Sequence, residues 1–154
     1  MSGPVIFAVE TFDAAYGEAS ELTRLHWQEV APYKELNALD PDLETYRNLE
    51  KLNRLCMITA RHKGELVGYI LMLLYPHPHY RQVLNAMDDL HFIRADFRNG
   101  FTFLRMLAFM EAEMKARGAR IVALRTKQAK DHGALFERIG YQVQDVVYTK
   151  RIGD

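Results

Sequence analysis

The stretch LCMITARHKGELVGYILMLLYPHPHY constrains the fold more than any other part of the sequence. Two apolar runs, Leu55 to Arg61 and Leu66 to Tyr75, flank a Lys63-Gly64 pair of the kind that closes a tight β-hairpin. The second run is apolar on both faces, which predicts a strand covered on both sides. We therefore expect a sheet with this strand at its centre and packed layers on either side.

The segments before the hairpin predict one strand and two helices. Val5 to Thr11 is rich in β-branched residues and alternates, as a first strand would. Asp13 is predicted to cap a helix that runs to about Val30. A second helix is predicted to open in LDPDLETYRNLEKL, with Asp40 as cap and Pro41 in the first helical position.

The segments after the hairpin continue the alternation of strands and helices. VLNAMDDLHFI predicts a fourth strand that ends near Ile93. Apolar residues at helical spacing predict a helix from about Thr102 to Arg117, with Gly118 as its stop. ARIVALRTK predicts a buried strand, DHGALFERIG a short helix, and YQVQDVVYTKRI a last strand pair. The expected fold is a single α+β domain over residues 1–154, with a mixed six- or seven-stranded sheet and about four helices.

Composition excludes several classes of protein. Twenty Lys and Arg residues balance twenty Asp and Glu residues, so no net charge attracts nucleic acid or an anionic membrane. The single cysteine, Cys56, forms no intramolecular disulfide and fits a reducing compartment. No apolar run reaches the roughly 18 residues of a membrane span, so a cytoplasmic protein is expected.

The stretch FRNGFTFLRML places an arginine and a glycine at the start of the third predicted helix. A turn that leads from a strand into a helix presents unpaired N–H groups and the positive end of the helix dipole, which together bind anions. Arg98 would add a charge, and Gly100 would let the backbone approach a ligand. A helix end contributes only about 0.3–2 kcal/mol to anion binding, so the ligand is expected to be larger than phosphate.

The motifs HFIRADFRNGFTFLRML and ALFERIGY, together with the order of elements, resemble the GNAT superfamily of N-acetyltransferases. HWQEVAPYKELNALDPD, TARHKGELVGY, PHPHY and the terminal YTK further resemble small GNAT proteins of bacteria and phages. The resemblance implies acetyl-CoA as acyl donor, with its pantetheine arm between the strand ending at Ile93 and the strand starting at Arg120. The implied cofactor-binding residues are Phe92, Ile93, Arg98, Asn99, Gly100, Phe101, Thr102 and Phe103. If Arg98 is aligned with the family's first arginine, Phe101 and Phe103 stand where the family pattern has small residues. In the Arg-x-Gly-x-x-Gly pattern of the small phage-borne relatives, only Phe103 is out of line.

Acetyl transfer to an amine requires a base and an acid. A lysine-like amine is almost entirely protonated at neutral pH, so a group must take its proton. Strand alternation predicts Asp89, His91 and Ile93 on one face, which makes Asp89 and His91 the candidate bases. The family's tyrosine acid is replaced by Phe136, so Tyr148, Tyr141 or water would protonate the thiolate, with Tyr148 the candidate acid.

The acceptor side is implied by the same resemblance. His26 and Glu29 on the first helix, and His79 and Tyr80 in PHPHY, are candidate substrate-binding residues. His77 and His79 lack a nearby carboxylate or cysteine, so no metal site is predicted. The acceptor itself, a small molecule or a peptide amine, is not identified, and a homodimer is one open assembly state.

Two alternative functions remain open at this point. A non-catalytic acyl-CoA-binding or regulatory protein of the same fold would explain the phenylalanines at residues 103 and 136. A protein-interaction module would use the helix LRMLAFMEAEM as its binding face.

Overall fold

The computed structural model describes residues 3–98 and 100–153. One mixed sheet carries helices on both faces, in an α+β arrangement. The elements are β1 (Val5–Glu10), α1 (Phe12–Val30), α2 (Leu43–Lys51), β2 (Leu55–His62), β3 (Glu65–His77), β4 (Tyr80–Ile93), a 3₁₀ turn (Ala95–Phe97), α3 (Thr102–Ala116), β5 (Ile121–Ala123) and α4 (Gly133–Arg138).

The strand order in the sheet is β1-β2-β3-β4-β5. The first four strands form antiparallel pairs, and β5 alone runs parallel to its neighbour β4. The prediction that the strand after Gly64 is central is confirmed, since β3 lies between β2 and β4 and is buried on both faces. The tight turn is also confirmed, with Lys63 and Gly64 both at positive φ.

Two apolar clusters hold the helices against the sheet. On one face, α1 and α2 pack through residues such as Phe12 and Ala15 onto Tyr69 and Leu71 of β3. On the other face, α3 packs its methionines onto a second cluster that includes Ile70. Burial of apolar side chains on both faces of the sheet is the main stabilising term in this arrangement. We refer to these two sides as the α1 face and the α3 face.

Both predicted caps of the first two helices differ from those observed. Thr11, not Asp13, caps α1, because its Oγ1 accepts a hydrogen bond from Ala14 N at 3.3 Å. Asp42, not Asp40, caps α2 and accepts a bond from Thr45 N at 3.0 Å. In each case the side chain that reaches the free N–H group three residues ahead determines where the helix starts.

The prediction of six or seven strands is wrong, since the sheet has five strands within residues 3–98 and 100–153. No strand forms across 141–153, where Val143, Val147 and Tyr148 are 71%, 82% and 91% exposed. An alternating pattern needs a neighbouring edge to become a strand, and β5 offers an edge of only three residues. That strand is also less buried than predicted, with Ile121 49% exposed.

None of the helices in the part of the chain that the structure describes is both long and apolar enough to cross a membrane.

Candidate active site

An opening between β4 and β5 is the main feature of the candidate site. The two strands pair only from Asn85↔Ile121 to Met87↔Ala123, while β4 continues to Ile93. The edge of β4 from Asp88 to Ile93 therefore has no β5 residue beside it in the described structure. A cavity of about 400 Å³, which we call the cleft, lies in this opening.

The cleft extends around the open edge of β4 and touches both faces of the sheet. On the α1 face it meets α1, and on the α3 face it meets the start of α3 and the segment that follows β5. The residues at its wall are His26, Glu29, Val30, Asp88, Asp89, Leu90, His91, Phe92, Ile93, Arg98, Gly100, Phe103, Leu104, Arg125, Lys127, Lys130, His132 and Leu135. The structure therefore brings together most of the site residues predicted from the sequence.

Ile93 presents its backbone to the cleft. Its carbonyl oxygen accepts a hydrogen bond from Arg98 Nε at 2.6 Å rather than from a strand. The N–H and C=O groups of one strand residue point to the same side, so the amide of Ile93 also faces the cleft. The expectation that Ile93 binds the cofactor remains a prediction.

A network of ion pairs lies at the rim of the cleft. Glu29 accepts hydrogen bonds from Arg98 Nη2 at 2.9 and 3.0 Å and from Lys130 Nζ at 3.1 Å. Burial acts to raise the pKa of Glu29, but the bonds from Arg98 and Lys130 outweigh it and leave the pKa below its usual value. With Lys127 and Arg125 also at the wall, cations outnumber carboxylates on this side of the cleft.

The turn before α3 has the backbone form expected of a ligand-binding loop. Gly100 adopts a positive φ of 63°, which favours glycine, and lines the cleft. Phe101, the N-cap residue, provides no side-chain hydrogen bond to the helix, and its ring is 73% exposed. Thr102 is the first residue of the helix. Asn99, also predicted to bind the cofactor, lies outside the described residues.

Phe103 packs against the body of the protein beside the cleft. Its ring centroid lies 5.5 Å from His91, 5.4 Å from His132 and 6.4 Å from Phe136. The ring is half-buried against the apolar cluster of the α3 face, and it forms part of the cleft wall. It therefore narrows the cleft from one side while β4 and β5 stay apart.

A β-bulge changes which carboxylate accompanies His91. The pairing of β3 with β4 shifts between Leu71 and Met72, so that Leu71 lies opposite Leu90 while Met72 lies opposite Asp88. The extra residue, Asp89, breaks the alternation. The prediction that Asp89 and His91 share one face is therefore wrong: His91 Nδ1 pairs with Asp88 Oδ2 at 2.8 Å, and Asp89 Oδ2 accepts a bond from Tyr46 of α2 at 2.6 Å.

Asp88 is almost completely buried, with a side chain 3% exposed. Its second oxygen, Oδ1, accepts a hydrogen bond from the backbone N–H of Arg125 at 2.9 Å. The Arg125 guanidinium donates to the carbonyl oxygens of Asp88 and Asp89. These bonds attach the segment after β5 to the bulge of β4 and fix the carboxylate that holds His91.

His26 lies on the opposite side of the cleft from His91. Its ring stacks on Phe92 with centroids 5.4 Å apart, and Arg98 covers the same phenylalanine at 5.0 Å. Burial, aided by the charges of His91, Lys127 and Arg98, lowers the pKa of His26 to about 4. Burial likewise lowers the pKa of His132. His26 is therefore uncharged at neutral pH.

Three predicted residues lie away from the cleft. His79 and Tyr80 are at the β3–β4 turn, and Tyr80 is 13 positions before Ile93 on one strand, about 40 Å at 3.3 Å per residue. Tyr148 is in the segment without strands and is 91% exposed. Their roles remain predictions.

Sequence reasoning missed nine residues of the cleft wall, of which five are ionisable and four, Val30, Leu90, Leu104 and Leu135, are apolar. Strand alternation predicted Asp88 on the face opposite His91, and the bulge at Asp89 that reverses this is not visible in the sequence pattern. Arg125, Lys127, Lys130 and His132 lie in RTKQAKDH, a basic segment directly after β5. The carboxyl end of a parallel strand is where ligands bind in many sheets, so that position was a usable signal.

No protein-family model and no curated protein matches the sequence. Solved structures do match the fold. The ribosomal-protein-alanine N-acetyltransferase of Brucella melitensis biovar Abortus 2308 has a TM-score of 0.72 at 19% identity, covering 97% of this chain and 100% of that one. A predicted acetyltransferase from Clostridium acetobutylicum, solved with acetyl-CoA, has a TM-score of 0.72 at 15% identity, covering 96% of both chains.

A GCN5-related N-acetyltransferase from Ralstonia eutropha JMP134 has a TM-score of 0.76 at 14% identity, covering 97% of this chain and 100% of that one. These similarities extend over nearly the whole chain. At this level of identity they establish the architecture. The chain has the fold of the GNAT-type acetyltransferases.

Proposed function

We propose that this protein is an acetyl-CoA-dependent N-acetyltransferase that moves the acetyl group to a primary amine by direct attack. The observation that carries the proposal is the open edge of β4 beside β5, with the cleft in the gap. An extended ligand arm can add to such an edge through backbone hydrogen bonds. The fold, shared with a structure solved with acetyl-CoA, supports the same donor.

The residues of the cleft fit an anionic donor with an extended arm. Arg98, Lys127 and Lys130 supply positive charge at the rim, where the phosphates of CoA need it. The turn at Gly100 and the start of α3 supply N–H groups. Because a helix end alone contributes little, the edge of β4 near Ile93 supplies much of the remaining affinity in this proposal.

His91 is the proposed base, and Asp88 is its positioning residue. In the proposed tautomer, His91 Nδ1–H donates a hydrogen bond to Asp88. The Nε2 atom then has a free lone pair and can take a proton from the bound ammonium group. The resulting neutral amine attacks the thioester carbon, a C–N bond forms, and the C–S bond breaks to release the CoA thiolate. The nitrogen then loses its second proton to solvent, which leaves a neutral amide. In this proposal the amide of Ile93 stabilises the oxygen that becomes negative during attack.

Protonation of the thiolate is assigned to solvent, because Tyr148 is not among the residues that line the cleft. Phe136 is 5% exposed and carries no proton to donate. Tyr141 donates its hydroxyl proton to Glu111 Oε1 at 2.7 Å. Burial and this bond raise the pKa of Tyr141, so it is a poor acid. A thiolate leaves readily because the free thiol has a pKa of about 8.5.

The direct test measures donor binding and transfer separately. Acetyl-CoA and CoA should raise the melting temperature, since ligand at 100 times its Kd stabilises the folded state by about 2.7 kcal/mol. Incubation with acetyl-CoA and a panel of amines should release CoA and form an amide detectable by mass spectrometry. Binding without transfer to any amine would favour the non-catalytic acyl-CoA-binding alternative. Failure of both ligands to bind would overturn the proposal.

A further inference from the structure

A second cavity lies on the α1 face of the sheet, next to the cleft. It has a volume of about 280 Å³ and is enclosed by α1, α2, the segment 31–42 and the α1-face side chains of β2, β3 and β4. Its wall is mainly aromatic and aliphatic, as Phe12, Tyr16, Trp27, Tyr46, Leu71 and Leu90 illustrate. We refer to it as the aromatic cavity.

Several of the polar atoms around the aromatic cavity are bonded to protein partners, and its one carboxylate, that of Asp40, is exposed at the cavity's outer wall among the described residues. Trp27 Nε1 donates to the carbonyl oxygen of Asn37 at 2.8 Å. Thr23 Oγ1 and Tyr69 Oη share a hydrogen bond of 2.7 Å. A polyhydroxylated ligand such as an amino sugar would lose its water contacts here and gain few replacements. The cavity therefore favours an apolar body.

The aromatic wall is held in place by ring stacking. Phe12 stacks on Tyr16 with centroids 5.1 Å apart and on Tyr46 at 5.0 Å. Phe12 is 1% exposed, and the half-buried rings of Tyr16 and Tyr46 stack against it. A preformed wall of this kind binds a flat ring with little cost in side-chain ordering.

Asp89 connects the aromatic cavity to the cleft. It lies at the wall of the cleft, and its Oδ2 accepts a hydrogen bond from the hydroxyl group of Tyr46. Tyr46 is a wall residue of the aromatic cavity. Leu90 borders both cavities. A carboxylate at this junction complements an ammonium group whose apolar body occupies the aromatic cavity.

We infer that the aromatic cavity binds the acceptor, and that the acceptor is a small primary amine on an aromatic or branched aliphatic body, with its nitrogen at Asp89. This inference rests on the proposed function, because a bound amine is an acceptor only if the protein transfers acetyl groups. At roughly 30 Å³ per small heavy-atom group, the cavity holds about ten such groups, the size of an arylalkylamine. Asp89 then binds the ammonium group, and His91 takes the proton across the cleft.

The test compares the rates at which this chain acetylates different amines. With saturating acetyl-CoA, kcat/KM for 2-phenylethylamine and tryptamine should exceed that for glucosamine and kanamycin by at least about 100-fold. Equal or better use of the amino sugars would overturn the inference.

Two variants test whether the amine binds in the aromatic cavity with its nitrogen at Asp89. Ala19 is 2% exposed and lines the aromatic cavity, so Ala19→Leu should fill part of it. We expect kcat/KM for tryptamine to fall at least about tenfold, with the Kd of acetyl-CoA unchanged. Asp89→Asn keeps an acceptor for Tyr46 but removes the charge, and should raise KM for the amine without weakening the binding of acetyl-CoA. Unchanged amine kinetics in both folded variants would overturn the assignment.

Direct binding of tryptamine without acetyl-CoA separates this inference from the proposed function. Tryptamine binding that Ala19→Leu weakens, in a chain that binds no acetyl-CoA, would support the cavity and refute acetyl transfer. Acetyl-CoA binding with no tryptamine binding or acetylation would refute the cavity alone. Thermal unfolding of Ala19→Leu shows whether it is folded, and Asp89→Asn provides the test if it is not.

Discussion

His91 Nδ1 lies 2.8 Å from Asp88 Oδ2, although both residues belong to β4 and are three positions apart. In a regular strand, residues an odd number apart point to opposite faces. The bulge at Asp89 removes that restriction and turns both side chains to the α3 face. One inserted residue thus creates an Asp-His pair at the edge of the cleft and sends the neighbouring carboxylate to the other side.

Asp88→Asn should disable the base without removing it. The Asn oxygen can keep the bond from Arg125 N, and the amide NH₂ then donates to His91 Nδ1. The ring proton moves to Nε2, which can no longer accept a proton from the amine. We expect kcat to fall by about 100-fold or more, with the KM of acetyl-CoA little changed. Steady-state kinetics measures both.

The control is Asp145→Asn, which alters an exposed carboxylate in the segment without strands. It should leave kcat unchanged. If Asp88→Asn keeps more than half of the wild-type kcat, His91 is not the base.

Much of the fold could be predicted from local patterns, and the site only in part. The hairpin at Lys63-Gly64 and the end of β4 at Ile93 follow from turn chemistry and apolar runs, which act locally. The Asp88–His91 pair depends on the register of β4 against β3. The absence of strands from 141 to 153 depends on how long an edge β5 offers. Those are properties of the assembled sheet, so a single segment of sequence does not contain them.

Glu29→Gln should strengthen donor binding. Glu29 neutralises Arg98 and Lys130 at the rim of the cleft, and the substitution leaves both cations available to phosphates. We expect the Kd of acetyl-CoA to decrease about two- to fivefold at low salt, with a smaller change at high salt. Isothermal titration at two ionic strengths measures this. Glu21→Gln, an exposed change on the same helix, is the matched control. Weaker binding by Glu29→Gln alone would show that this carboxylate organises the rim.

His26 should make stability depend on pH. Its pKa is about 4 in the folded protein, because burial disfavours the charged ring, and about 6.5 when unfolded. As the pH falls from 6.5 toward 4, the unfolded chain binds a proton that the folded chain does not, so the free energy of unfolding decreases. Urea unfolding of His26→Gln should show a smaller decrease than wild type over this interval. An identical decrease in both proteins would contradict the assignment.

Truncation to alanine should destabilise the protein much more at Phe103 than at Phe101. Phe103 is half-buried against His91, His132 and Phe136, so Phe103→Ala should lower the free energy of unfolding by about 2 kcal/mol. Phe101 is 73% exposed, so Phe101→Ala should change it by less than about 0.5 kcal/mol. Denaturant unfolding measures both. A large gain in acetyl-CoA affinity for Phe103→Ala would mean that the ring obstructs the donor site.

Gly68 allows β3 to approach the end of β4 at the cleft. A Cβ at this position would lie 2.8 Å from the carbonyl oxygen of Phe92 and 3.0 Å from Ile93 Cγ1, so Gly68→Ala must push the end of β4 aside. We expect it to lower the free energy of unfolding by about 1–3 kcal/mol. Because the displaced residue is the one whose amide faces the cleft, the Kd of acetyl-CoA should rise as well. Unfolding and titration on the same samples test both effects.

Gly17→Ala is the control for Gly68→Ala, because it adds the same methyl group at a glycine where there is space for it. Gly17 lies within α1 with no atom within 4 Å of an added Cβ, so alanine there should stabilise the protein by about 0.5–1 kcal/mol. Its acetyl-CoA affinity should match wild type, since it lies outside the cleft wall. If Gly68→Ala binds acetyl-CoA as tightly as Gly17→Ala does, the position of Ile93 does not govern donor binding, and the open edge of β4 loses its proposed role.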